Sequence, residues 1–265
     1  MHDSLDAHAT GLRLLVFVAT LALMLVLERL LPRRKRPPQR HLRWPANFGL
    51  VLIDSLLLRL LLPVTAYGVA VLAQQRGWGL FNLLALPAWL SVALCWLLLD
   101  GAIYAQHRAM HAVPLLWRLH RVHHSDIEFD TSTALRFHPL EILLSMLWKM
   151  ALVLALGAPA LAVLLFEVAL NAAALFNHAN IRLPGDSVLR RWLATPDFHR
   201  VHHSVLRAET DSNYGNVLSV WDYLFKTYTP QPRSGHESMQ IGLPAWREPD
   251  RQSLLRLLLQ PFDRG

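Results

Sequence analysis

Residues 12–31, 48–73, 87–104 and 142–176 form apolar runs longer than the core elements of a soluble domain. A helix that crosses the hydrocarbon of a bilayer needs about 20 such residues. The first three runs each match one span, and 142–176 is long enough for two. Gly157-Ala158-Pro159 interrupts the last run. A glycine and a proline so placed end one helix and start another, so a hairpin that crosses or dips in and returns is expected. With 53% hydrophobic residues and a mean hydropathy of +0.27, the chain is expected to be an all-α, polytopic membrane protein. It should have four to five spans, or a re-entrant hairpin, and a His-rich helical cap on the cytoplasmic side.

Charge orients these spans. Asp3 and Asp6 precede the first run, and Arg33, Arg34, Lys35 and Arg36 follow it. A cleavable leader carries its positive charge ahead of the apolar segment, so an uncleaved anchor is expected. The positive-inside rule puts the N-terminus outside and the basic run in the cytoplasm. Lys and Arg number 26 against 19 Asp and Glu, a net +7 with His neutral. Beside apolar runs that excess suits anionic lipid headgroups rather than nucleic acid. Asp54 and Arg59 fall inside the second run, where charge is costly unless paired; mutual or structural pairing is expected. Residues 74–79 should make an outer turn, 107–141 should lie at the inner face, and 254–259 should be a short apolar strip at the interface. Cys95, the one cysteine, lies in an apolar run and suits small core packing.

Ten of the 14 histidines fall between His107 and His203. His107 and His111 form an HxxxH; His120, His123 and His124 form an HxxHH; His199, His202 and His203 repeat it; His178 stands alone after the hairpin. On a helix, positions i, i+3 and i+4 share one face, so each HxxHH is a comb of imidazoles. At this His content chance yields roughly 0.04 HxxHH matches per chain. Neutral imidazole is the commonest side-chain metal ligand, and an all-nitrogen set suits Fe or Zn over Mg or Ca. Nine rings supply two metals with four or five nitrogens each. Asp100 and Tyr104 share a helical face with His107 and His111 and are candidates to orient ligand rings. Asp126, Asp130 and Arg136 are candidates for the same work from the following loop, or are solvated. His138 either supports the site or caps a helix. His2, His8, His41 and His236 are isolated and take no role.

The order HxxxH, HxxHH, single His, HxxHH on apolar hairpins resembles the fatty acid hydroxylase/sterol desaturase superfamily. The resemblance extends through residues 133–141, Thr195-Pro196-Asp197-Phe198-His199, Asn213-Tyr214-Gly215-Asn216 and 221–228. It is strongest toward the bacterial sterol desaturase-like branch and covers about 44–228. It implies three segments: an anchor with its basic stretch over 1–43, a di-metal domain over 44–230, and a C-terminal tail with a short amphipathic helix over 231–265. It also implies an O2-dependent di-iron hydroxylase or desaturase, in which zinc can replace iron. The implied ligands are His107, His111, His120, His123, His124, His178, His199, His202 and His203, with Asn213 in a supporting position. The chain departs from the pattern at Ala174, where some relatives carry another His, and at Tyr223 and Lys226, where relatives often show Arg and Gly.

Such an enzyme draws a lipid from the bilayer. It needs electrons from a separate reductase, ferredoxin or cytochrome b5-like carrier, because the chain has no Cys set for an iron–sulfur centre and no dinucleotide-binding Gly motif. The competing expectations are a His-rich metal transporter and a non-catalytic metal-binding membrane protein. Transporters place polar ligands near the bilayer midplane, whereas these clusters follow the spans.

Overall fold

The computed structural model describes residues 2–35 and 40–263, with side chains from His8 onward. Arg36 of the basic run, and the side chains of His2, Asp3 and Asp6, lie outside the described residues. The order is α1 (His2–Leu30), α2 (Arg40–Leu61), α3 (Ala66–Arg76), α4 (Leu80–Leu83), α5 (Ala88–Ala112), α6 (Pro114–His124), α7 (Pro139–Leu156) and α8 (Ala160–Asn177). Short helices follow: α9 (Asp186–Leu189), α10 (Pro196–His202), α11 (Arg207–Thr210), α12 (Val220–Leu224), α13 (Gly235–Ser238) and α14 (Leu254–Leu259). Among the described residues there is no sheet, only isolated bridges such as Pro32 with Ile181.

Among the described residues, five helical stretches are long and apolar enough to cross a membrane: His8–Leu30, Arg40–Leu83, Ala88–Ala112, Pro139–Leu156 and Ala160–Asn177. Their outer faces carry bare leucines, Leu60 at 80% and Leu83 at 77% exposure, as expected where lipid is the solvent. The fold is thus an all-helical, multi-pass membrane protein. The apolar run 48–73 is not one helix. Pro63 lacks the N–H that would continue α2, and Thr65 starts α3 by accepting from the Gly68 amide at 3.0 Å. The third run continues past Tyr104 through both histidines of the HxxxH to Ala112.

Cys95, Leu99, Phe166, Val163, Val153 and Ala70 form the buried core between α3, α5, α7 and α8. The hairpin turn depends on two glycines in contact. Gly157 has φ 59° and Gly79 φ 87°; a Cβ on Gly157 would lie 2.3 Å from the Trp78 carbonyl oxygen. Neither position admits a side chain.

One end of the bundle is polar. Glu28, near the end of α1, is buried and accepts from the backbone of Thr131 at 2.7 Å and of Asn180 at 2.9 Å. Arg43 on α2 is fully buried and donates to Asp126, and to Asp130 at 3.0 Å. Arg136 donates to the Val122 carbonyl at 2.9 Å and to Ser125 at 3.0 Å. Burial alone would raise Asp126, but Arg43 and Arg136 outweigh it and hold the carboxyl at about 2. The loop after α6 is thereby fixed to α2. The C-terminal segment packs onto the same end: Leu257 joins Ala46, Leu50 and Val122 in a small core, and the Gln260 side chain accepts from Ser125 at 3.0 Å.

Candidate metal centre

His107 and His111 lie on the last two turns of α5, and the chain reverses at Pro114 into α6, whose last turn carries His120, His123 and His124. Because α5 and α6 meet end to end, the HxxxH faces the first HxxHH. His178 caps the C-terminus of α8. On α10, capped by the Thr195 hydroxyl, His199 and His202 project together, and His203 follows as the helix ends.

Chain segments far apart in sequence therefore converge. His107, His111, His120, His124 and His202 form one group; His123, His178, His199 and His203 form another. Within each, a ring nitrogen from every member lies within 4.8 Å of the others. All nine sequence candidates belong to one group or the other. Apart from His107, which is half-buried, all are buried.

Hydrogen bonds decide which nitrogen faces inward. His107 Nδ1 is 2.7 Å from the Tyr214 carbonyl, His123 Nδ1 3.2 Å from that of Arg136, His178 Nδ1 2.8 Å from that of Ala174, and His202 Nδ1 2.6 Å from that of Ser212. Carboxylates fill the same role for His111, with Asp211 at 3.2 Å, and for His120, with Glu141 at 2.6 Å. A carbonyl or carboxylate only accepts, so each Nδ1 carries the proton and each Nε2 is left with a lone pair. In two pairs both lone pairs face one another: the Nε2 atoms of His107 and His120, and of His123 and His178, are 3.1 Å apart; the Nε2 atoms of His124 and His199 lie at the same distance from those of His111 and His178. Two acceptors at that distance repel unless a cation lies between them. An imidazolium would serve, but burial pushes His178 to about 4 and His202 to about 3. Burial first, then repulsion between the rings, pushes His123, His124, His199 and His203 well down too. Neutral rings are the form that binds metal. Two nitrogens each ~2.1 Å from one ion and about a right angle apart sit ~3.0 Å from each other, close to the observed spacing. His199 Nδ1, His202 Nε2 and both nitrogens of His203 are buried without a hydrogen-bond partner. The residues fit a pair of nitrogen-loving cations.

The supporting candidates are placed differently from the sequence expectation. Asp100 accepts from the Trp221 indole at 2.8 Å, and Tyr104 is 2.9 Å from the Thr227 hydroxyl. Asp126 and Asp130 serve Arg43, and Asn213 donates to the Phe198 and Thr229 carbonyls. His138 caps α7 through the Leu140 amide at 3.2 Å. None of these side chains hydrogen-bonds a ring of the nine. Glu141 and Asp211 do. Glu141 stands in the quoted 133–141 motif, where its charge beside an apolar helix was a usable signal; Asp211 has no regular spacing from any histidine. Asp54 and Arg59 do not pair. Asp54 is buried with Oδ1 unpartnered, while Arg59 is exposed.

A cavity of about 350 Å³ reaches from His107, His120, His123, His178 and His199 into the space between α1, α2, α5, α7 and α8. Phe17, Val51, Leu58, Ile103 and Met110 contribute apolar walls. Exposed Ser55 and Asn171 mark its open side.

Fold and site together define an integral membrane protein with a two-centre histidine site opening onto a chamber among its spans. The Fatty acid hydroxylase family model matches residues 92–227, and the chain belongs to that family. It is 33% identical to an ornithine lipid hydroxylase of Rhizobium tropici over 182 residues, covering 67% of this chain and 52% of that protein. It is 30% identical to an alkylglycerol monooxygenase of Xenopus tropicalis over 194 residues, covering 70% and 41%. With the alkylglycerol monooxygenase of Homo sapiens it shares 31% over 176 residues, covering 63% and 36%. The chain thus spans about half or less of the length of these relatives. No solved structure matches it.

Proposed function

We propose that this protein is a membrane-bound, O2-dependent di-iron oxidoreductase that hydroxylates, or desaturates, a C–H bond of a lipid. The observation that carries the reading is the set of facing Nε2 lone pairs, 3.1 Å apart, at the end of a cavity inside the membrane helices. His107, His111, His120, His124 and His202 would hold one iron, and His123, His178, His199 and His203 the other; zinc would fit the same nitrogens. Two irons, when bound, supply the activation of O2 that side chains cannot perform. The protein's own contribution is position and dryness. Glu141 and Asp211 fix the tautomers of His120 and His111 and raise their basicity. The cavity receives the lipid laterally through the side marked by Ser55 and Asn171. Its apolar walls hold a C–H bond against the metal-facing rings and exclude water.

Arg33 and Arg34 follow α1 at the histidine end of the bundle, which supports a cytoplasmic site in a bacterial inner membrane. Electrons then come from a separate cytoplasmic carrier, a reductase, ferredoxin or cytochrome b5-like protein. The relatives' names make ornithine lipids and alkylglycerols the first substrates to try. The test is anaerobic purification with metal analysis, followed by incubation of each lipid with O2 and a reductase. Two irons per chain and a product gaining one oxygen, or losing two hydrogens, support the reading. Bound metal without O2-dependent product from any lipid sinks the catalytic reading and leaves a metal-binding protein.

A further inference from the structure

Asp54 has no structural duty that accounts for it. It sits mid-helix on α2, within a membrane-crossing stretch, and is 5% exposed. Arg59, the cation nearest to it on its own helix, is exposed and does not meet it. Its Oδ1 has no hydrogen-bond partner, and it forms part of the wall of the cavity that ends on the histidines. A buried carboxyl oxygen facing an apolar chamber in a membrane is costly while it has no hydrogen-bond partner. Glu141, the other carboxyl in the wall, holds His120 Nδ1 through Oε1 at 2.6 Å, and its Oε2 has no hydrogen-bond partner; unlike Asp54, it is tied to a ring. Asp54 touches none of the nine rings.

Other polar side chains share the wall, and none of them hydrogen-bonds Asp54 Oδ1. Gln106 donates to the Ser145 hydroxyl at 2.7 Å on the facing helices, and Ser55 and Asn171 stand at the open side. Apart from these, the five histidines, Glu141 and Asn216, the wall is apolar. A plain hydrocarbon chain passing to the histidines would leave Asp54 desolvated and unsatisfied. A lipid bearing an O–H or N–H near the carbon to be oxidised would satisfy it. The volume, about 350 Å³, lies at the small end of ligand pockets, so the chamber takes the reacting portion of a lipid and not the whole molecule.

We propose that Asp54 accepts a hydrogen bond from a hydroxyl or amide N–H of the substrate. The enzyme thereby selects lipids in which that donor lies close to the reacting carbon over unfunctionalised chains. The inference rests on the reading of the cavity as the lipid site of an oxidative enzyme, and it adds the determinant of specificity. A site built around a hydrogen bond to its ligand strongly rejects the analogue that lacks the donor.

The test uses iron-loaded protein in nanodiscs under argon, so that binding is read without turnover. Three C16 probes are titrated by native mass spectrometry: a monoalkyl glycerol ether with both hydroxyls free, the same ether with both methylated, and an N-alkyl amide. Wild type should hold the hydroxyl or the amide probe roughly tenfold or more tighter than the methylated ether; whichever is tighter names the donor. Asp54→Leu should remove the preference with iron content unchanged, and Asp54→Asn, which keeps an acceptor oxygen, should retain most of it. Equal affinity of wild type for all three probes, or a preference that survives Asp54→Leu, overturns the proposal. Should Asp54→Leu fail to fold, Asp54→Ala takes its place, and a preference that survives in it overturns the proposal. Admitting O2 and electrons afterwards separates the two readings. Selective binding without product overturns the oxidative function alone, whereas equal kcat/KM on donor and donorless lipids overturns the role of Asp54 alone.

Discussion

At the scale of single residues, the centre is two sets of rings, and in six of the nine a hydrogen bond holds Nδ1. His178 belongs only to the four-ring group. His178→Ala should therefore lower bound iron from two to about one per chain and abolish turnover, as read by metal analysis and product assay. His123→Ala and His202→Ala should likewise cost metal and activity. His236→Ala should do neither: His236 is buried 3.7 Å from Asp197, belongs to neither group, and burial pushes it to about 4. Equal activity in these variants and wild type would overturn the assignment. Removing the Glu141 carboxylate tests orientation rather than ligation. Glu141→Leu should weaken metal binding by about 10–100-fold in a chelator competition, with Glu141→Gln milder because an acceptor oxygen remains. The two departures from the family pattern also acquire physical content. Ala174 offers its backbone carbonyl to His178 Nδ1 at 2.8 Å, and the group containing His178 has four rings rather than five. Lys226 takes φ 58°, the left-handed conformation that glycine adopts without strain.

At the scale of elements, two joints hold the site in place. The turn between α7 and α8 packs Gly157 against the backbone that follows α3. Gly157→Ala should destabilise the protein by about 1–3 kcal/mol from backbone strain alone, more from the clash, and appear as a lowered Tm in detergent. The second joint is Arg43 between Asp126 and Asp130, all three buried. Arg43→Met removes the buried cation that Asp126 and Asp130 share, and a loss of about 3–5 kcal/mol is expected, measured by denaturant unfolding. Unchanged stability in both variants would show that the site is held by other means.

At the scale of the whole molecule, the nine rings gather at one end of the bundle, so the side on which they lie is a single question. Cys95 is fully buried, which leaves a silent background for labelling with an impermeant maleimide. Ser238→Cys, exposed near the histidine end, should react only after inner-membrane vesicles are turned cytoplasmic face out. Ala85→Cys, exposed at the opposite end, should react in intact spheroplasts. The reverse pattern would put the metal centre outside.

Membrane class, the approximate spans and the metal-ligand chemistry were legible in the chain, because apolar length and i, i+3, i+4 spacing are local properties carried by neighbours in sequence. The break at Pro63 was also local and available, yet continuous hydropathy masked it. What only tertiary structure decided is non-local. Segments up to 96 positions apart, from His107 to His203, divide into groups of five and four, a partition no spacing encodes. Asp211 and four backbone carbonyls became the ring partners in place of Asp100 and Tyr104, since helical phase shows which side a residue faces and not what packs there. Asp54 read as half of an ion pair, because a charge in an apolar run has to be satisfied. Only the packing of α2 against its neighbours showed that Arg59 does not meet it and that its Oδ1 has no hydrogen-bond partner among the described residues.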